Sequence, residues 1–280
     1  MEIFPLISAI SQVGGILVDK VTLTRRQVEV RVFIPILFLF LVLTTGILYP
    51  FLGKINPDFL KPTSLLLFAA MILCAIIWNF FYYRGAQLEK VHDYELIIMF
   101  QPLFTILLAT IFLKGERNIH IIIASLVAAV FLIIAHIKKQ HFSLTLGGWN
   151  LVGAVIFMSV ELIIISQLLK VYSPVALYFV RTGILFLFFY FYYRPQVNKI
   201  SNTNLWLIFA SAALGTVQMV SKFYGFEAYG VVYTSLILII SPVLVYILSN
   251  IFLHERFKTR AVLSFVVILG CIIYATILGK

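Results

Sequence analysis

Glu161 is the residue in this chain whose position demands chemistry, because it lies inside the apolar run LVGAVIFMSVELIIISQLL. A carboxylate at lipid depth costs at least about 2.5 kcal/mol, so it must face the protein interior. Two roles fit it: substrate binding or proton transfer, and a neutral or paired glutamate that hydrogen-bonds neighbouring helices. Arg31 and Arg181 stand near the starts of two other apolar runs. A long side chain there either snorkels to the membrane surface or points inward. Arg181, which follows SPVALYFV, is the deeper and the better placed to meet an anionic group or Glu161. Asn79, Gln218, Gln12, Gln101 and Ser241 add hydrogen-bonding groups within spans. They line a polar path or act as interhelical glue worth about 0.6 kcal/mol on average.

Glu95 ends the densest charge run, RGAQLEKVHDYE, about two helical turns before Pro102, and is expected at a cavity mouth. The sequence has no phosphate-binding glycine loop, no metal-ligand spacing and no nucleophile-base arrangement. No catalytic residue, metal ligand or cofactor is therefore assigned. Cys74 and Cys271 fall inside apolar runs and read as small hydrophobes.

The elements that must position these residues are membrane-spanning helices. Of the 280 residues 62% are hydrophobic and 11% are charged, and the mean hydropathy of +1.07 lies far outside the soluble range. Continuous runs such as SLLLFAAMILCAIIWNFFYY exclude the short alternating strands of a β-barrel. Ten spans are expected, near 3–18, 33–52, 64–83, 92–113, 119–137, 148–168, 174–193, 204–224, 229–253 and 260–278. Glu2 is the only charge before the first span, so that span reads as a retained helix and not a cleaved leader. The net charge of +10 sits in short loops, which points to topology and lipid headgroups and not to nucleic acid.

The two halves repeat. Lys20-Val21 matches Lys170-Val171 and Arg31 matches Arg181, each 150 residues apart, while Gly85 matches Gly225 and Pro102 matches Pro242, each 140 apart. QPLFTILLATIFLKGER and SPVLVYILSNIFLHER then end in Glu116-Arg117 and Glu255-Arg256. Residues 1–140 and 141–280 accordingly read as two five-helix repeats, and the collinear order of the matches argues against chance. Five spans per repeat is an odd number, so the second copy starts on the opposite side of the membrane. The expected fold class is all-α integral membrane, ten transmembrane helices in two inverted-topology repeats. Pro102 and Pro242 lack an amide hydrogen and press on the carbonyls of Ile98 and Leu238, which makes them hinge candidates or fixed bends. Glu116 and Glu255 are expected to cap the helix that follows each.

This arrangement resembles the drug/metabolite transporter superfamily, specifically its EamA-type ten-span carriers, over essentially the whole chain. The two Pro-to-Glu-Arg segments carry the resemblance most strongly. It departs from the family at Phe131, where the glycine represented by Gly270 in the second half is missing. The resemblance implies a monomeric or weakly dimeric exporter of small metabolites that works without a cofactor. The expected function is secondary-active transport of a small polar or amphipathic metabolite by alternating access, in the plasma or cell inner membrane. Its partners are the small-molecule substrate, membrane lipids and protons as coupling ion, with no nucleic acid. A lipid-linked carrier or flippase of the same fold is the first alternative. An intramembrane enzyme is a distant second, since His92 and His136 show no convergence with Glu161. Loop lysines and arginines favour termini on the outside, whereas the family places both inside.

Overall fold

The computed structural model describes residues 3–25, 28–88, 97–98, 100–136, 145–195, 200–241, 244 and 259–278. Among them are ten α-helices of eight or more residues: α1 (Ile3–Lys20), α2 (Val30–Leu52), α3 (Pro62–Leu88), α4 (Gln101–Phe112), α5 (Ile119–His136), α6 (Leu146–Leu168), α7 (Pro174–Tyr193), α8 (Asn202–Tyr229), α9 (Val231–Leu238) and α10 (Thr259–Leu278). No strand occurs among the described residues beyond an isolated bridge between Ile55 and Tyr172. Six helices, α1, α2, α3, α6, α7 and α8, are long and apolar enough to cross a membrane, and Gln101–Phe112, Ile119–Ile133 and Val266–Leu278 are shorter apolar helices. The protein is an all-helical, multi-pass integral membrane protein.

Helix starts follow from local sequence. Ser173 precedes Pro174, and its hydroxyl accepts from the Ala176 amide at 3.3 Å, a serine cap followed by a proline that needs no amide partner. Asn118 caps α5 by accepting from the His120 amide at 3.0 Å, and Thr145 caps α6 by accepting from the Gly148 amide at 3.1 Å. Inside the spans, hydroxyls return to their own helix: Thr45, Thr105, Thr182 and Thr276 each donate to the carbonyl four residues earlier. In lipid that bond keeps a hydroxyl satisfied where no water is available.

Helix lengths differ from the expected spans at three places. First, α1 runs through Lys20 and continues as a π-helical turn over Val21–Arg25, so Asp19 belongs to a helix and not to a loop. Second, α8 reaches Tyr229, past the expected end at 224. Third, the expected fourth and ninth spans are interrupted. Helix α4 restarts at Gln101 with Pro102 in its first turn, after Phe100 has donated to Ile97 O at 3.1 Å. Gly230 breaks the chain between α8 and α9, and α9 ends at Leu238, where Ile239 donates to Ser235 O and Leu236 O.

The Glu116-Arg117 doublet sits at the turn between α4 and α5, and each member caps a different helix. Arg117 Nε donates to Thr110 O and its Nη2 to Ile111 O, both at 3.0 Å, covering the exposed carbonyls that end α4. Glu116 Oε2 accepts from the Val232 amide at 2.8 Å. It therefore caps α9, from the other half of the sequence, and not the following α5, whose start Asn118 already serves. Each charge faces the helix end of opposite polarity. Gly230 makes this possible: its φ of +83° suits glycine alone, and an added Cβ would lie 2.9 Å from the Glu116 carboxyl carbon. Glu255 and Arg256 lie outside the described residues.

Contacts divide the chain into two compact units, Met1–Ile72 with Gln167–Tyr224, and Leu73–Ser166 with Gly225–Lys280. Each unit draws on both halves of the sequence. In the first, α2 packs along α7, with Phe38 and Phe189 stacked at 5.5 Å and both buried. A short clasp lies at the ends of these helices. Asn56 donates its amide to Val171 O, and Ser173 to Lys54 O, both at 2.9 Å. In the second unit α5 packs along α10, and α9, buried along its whole length, lies against α4 and α5. Gly85 lets α3 approach α6: a Cβ there would meet Leu151 Cγ at 2.6 Å.

Gly230→Ala should cost about 1–3 kcal/mol, from a backbone conformation that side chains resist. Gly115→Ala, in open space, should leave the thermal midpoint in detergent unchanged. Burial holds the Glu116 carboxyl above its ordinary value of 4.5, against the amides of Val231 and Val232, which pull it down. The folded protein keeps this proton where the unfolded chain has released it, so stability falls as pH rises from 4.5 through the raised value. Glu116→Gln should flatten that part of the curve, measured as thermal midpoint against pH.

Candidate functional site

The second unit brings together residues from α3, α4 and α6. Glu161, on α6, is 3% exposed. Its Oε2 accepts from the indole Nε1 of Trp78, on α3, at 2.6 Å. A short bond to a charged acceptor is among the stronger kinds of hydrogen bond. Cys74, one turn before Trp78, lies within electrostatic reach of the same carboxylate. Two residues before Glu161 on α6, the buried Ser159 Oγ accepts from Thr105 Oγ1 at 3.1 Å and donates to Gln101 O at 3.3 Å. Thr105 Oγ1 also reaches Gln101 O, at 2.9 Å. The carbonyl that opens α4 beside Pro102 is thus held by two hydroxyls. The carbonyl that loses its usual donor to the proline ring is a different one, that of Ile98, four residues before it.

Aromatic rings surround the Trp78 side. Tyr82 meets Trp78 edge-on at 6.0 Å, Tyr83 meets Tyr82 at 5.1 Å, and Phe81 reaches Phe157 of α6 at 6.2 Å. Asn79 is buried, but its Nδ2 donates to Ala75 O of its own helix at 2.7 Å. Its neighbour Trp78, and not Asn79, is the residue of this helix that bonds Glu161. An indole N–H inside a lipid-spanning helix has to find an acceptor, and that requirement is the signal by which Trp78, passed over as an apolar neighbour of Asn79, is recognisable.

The first unit holds a separate polar set. Arg181, on α7, is 3% exposed, whereas Arg31, at the start of α2, is exposed and within electrostatic reach of the Tyr193 phenol. The two arginines that the repeat makes equivalent therefore differ: one is drawn into the protein and the other lies at a surface. Lys222, on α8, is also buried, beside Phe223, which meets Tyr178 of α7 edge-on at 5.9 Å. Asp19, on α1, accepts a short hydrogen bond from Ser211 Oγ of α8. Asp19 lies just past the end expected for the first span, and Lys222 lies inside the expected eighth span but is not among the candidate residues. Gln218 and Gln12 are half-buried, and the Gln218 carbonyl accepts from Ser8 Oγ of α1 at 2.8 Å. Ser241 is fully buried just beyond α9. Glu95 and Pro242 lie outside the described residues, as do His92 and Tyr94. Among the described residues no group of three or more His, Cys, Asp or Glu could hold a metal ion.

Trp78→Phe keeps the ring and removes the donor to Glu161. It should destabilise by about 1–3 kcal/mol, the cost of leaving a buried acceptor short of a partner. Trp149→Phe, at a largely exposed ring, should change stability by no more than about 0.5 kcal/mol. Thermal unfolding of the two variants in the same detergent compares them.

Residues 145–277 match the family described as the EamA-like transporter family. No curated protein sequence matches the chain. Among solved structures, one described as "Crystal structure of protein" has the same fold, with a TM-score of 0.71 over 99% of this chain and 96% of that one, at 17% identity.

Proposed function

We propose that this chain, a membrane protein of the drug/metabolite transporter type with an EamA-like transporter domain in its second half, is a secondary-active carrier. It moves a small polar or amphipathic metabolite by alternating access, in the direction of export, across the plasma or cell inner membrane. Protons serve as the coupling ion. The members of this family are transporters and not enzymes.

One observation carries the reading: three pairs of helices that the sequence repeat makes equivalent pack on each other. Span two pairs with span seven as α2 against α7. Span five pairs with span ten as α5 against α10, and the interrupted spans four and nine meet as α4 against α9. The same correspondence turns the α3–α6 contact at Trp78 and Glu161 into the α8–α1 contact at Gln218 and Ser8. Two halves of opposite topology that pair in this way support a ten-span inverted repeat. The breaks at Phe100 and Leu238 fall within two residues of equivalent places, as in carriers whose sites are built from discontinuous helices. Glu161 is the proton-accepting group of this reading, since it is buried at mid-span and has no acidic counterpart in the first half, where Ser11 stands.

Solute counterflow in proteoliposomes tests the function. Vesicles preloaded with one member of a panel of amino acids, nucleosides, sugars and amphipathic amines should accumulate the same labelled solute without ATP. Transfer of labelled lipid between leaflets, with no counterflow of any solute, would sink the carrier reading. With a solute that does exchange, an interior pH dye should register proton movement for the wild type and none for Glu161→Gln. Unchanged proton movement in that variant removes Glu161 from the coupling role. Pro102→Ala, which frees α4 to extend toward Ile98, should slow exchange about tenfold or more while stability holds or rises.

A further inference from the structure

We infer that the turn between α4 and α5, with the end of α10 beside it, docks the headgroup of an anionic phospholipid. Lys114 and Arg117 stand exposed on this turn, and His120 is exposed in the first turn of α5. Glu116 is the only acid among them, and its Oε2 is turned to the Val232 amide. The outward face of a turn that reads Lys-Gly-Glu-Arg is therefore positive. Helices α4, α5, α9 and α10, which pack around it, contain no Asp or Glu to repel an anion.

The two cations serve a headgroup in different ways. Arg117 Nε and Nη2 donate to Thr110 O and Ile111 O, which fixes the guanidinium in place and leaves its other N–H groups for an outside acceptor. A fork held in advance loses less freedom on meeting a phosphate than a mobile one would. Lys114 is a point charge on a flexible stem that closes on the same group. By contrast, Lys61 pairs with Asp58 at 2.8 Å, and Lys170 Nζ donates to Gln167 Oε1 at 2.8 Å.

The surroundings favour a lipid over a soluble anion. His120 Nδ1 and Tyr274 Oη lie 2.9 Å apart in a hydrogen bond that ties α5 to α10 at this end, and both side chains are exposed. Tyrosine is a residue of the membrane–water boundary, with its ring in lipid and its hydroxyl at headgroup level. Phe112, Ile119 and Ile277, near the same helix ends, expose large apolar side chains. Acyl chains cover such a border, and a free phosphate has no use for it.

Thermal midpoints of the purified protein in detergent read the binding, since a lipid bound only to the folded state raises its stability. Phosphatidylglycerol should raise the midpoint saturably, at a concentration about fivefold or more below that needed for phosphatidylcholine. Lys114→Gln, which touches no helix cap, should raise the phosphatidylglycerol concentration for half the effect about fivefold. Lys170→Gln makes the same change of charge and should leave that concentration within about twofold. His120→Leu combined with Tyr274→Phe should raise it about twofold to fivefold. Glycerol 1-phosphate, a headgroup without chains, should need a concentration about a hundredfold higher than the lipid. No shift with phosphatidylglycerol, equal action of the two lipids, an unchanged value in either site variant, or the same loss in Lys170→Gln overturns the inference. Glycerol 1-phosphate acting at the concentration of the lipid also overturns it, in favour of a soluble anion. None of these readouts involves a transported solute, so the carrier reading stands or falls separately.

Discussion

A lipid interior offers no hydrogen bonds, and almost every feature of this protein is a way of satisfying backbone polar groups without water. Continuous helices satisfy them along most of the chain. Where a helix stops, its last carbonyls or first amides must be met by side chains, and the residues chosen for this are specific. Arg117 covers the end of α4, while Glu116 covers the start of α9. Two adjacent residues thereby close two helix ends of opposite polarity, which explains why an acid and a base stand side by side. A buried amide left without an acceptor costs about 1–3 kcal/mol, so the break at Gly230 depends on Glu116 reaching it.

The same constraint separates prolines that bend from prolines that break. Helix α2 continues through Pro35 and Pro50. At Pro102 the helix begins afresh, with the proline in its first turn, where the amide hydrogen it lacks would have had no partner within the helix. Proline alone does not interrupt a span, and the hydroxyls of Thr105 and Ser159 hold the Gln101 carbonyl at this start.

Much of this fold is legible in the sequence because the signals are local or periodic. Apolar runs give the helices, Ser173-Pro174 and Asn118 give their starts, and the matched Lys, Arg, Gly and Pro positions give the correspondence between halves. What escaped has one physical cause: a charged residue inside a helix looks, in sequence, like the end of that helix. Asp19 is lost in this way, and it proves to be helical and bonded to Ser211. The other losses are contacts between distant parts of the chain. That Glu116 is acidic and stands at a helix boundary can be read, but which of two helices it serves depends on a packing partner 116 residues away. Glu161 stood out by its depth, yet its indole partner 83 residues away did not.

The repeat and the candidate chemistry therefore obey different logics. Several positions of the repeat are kept in both halves, Gly85 with Gly225 and Pro102 with Pro242 among them. Residues at the candidate site are not. Glu161 corresponds to Ser11, Trp78 to Gln218, and buried Arg181 to exposed Arg31. A charge needs only one counterpart and one binding event, and a second buried carboxylate would add its own desolvation cost without adding a second substrate. In an inverted repeat, the positions where symmetry fails at buried polar residues are thus the places to look for recognition. By that measure the α3–α6 face around Glu161 and the α7–α8 face around Arg181 and Lys222 are where this chain departs furthest from its own internal pattern.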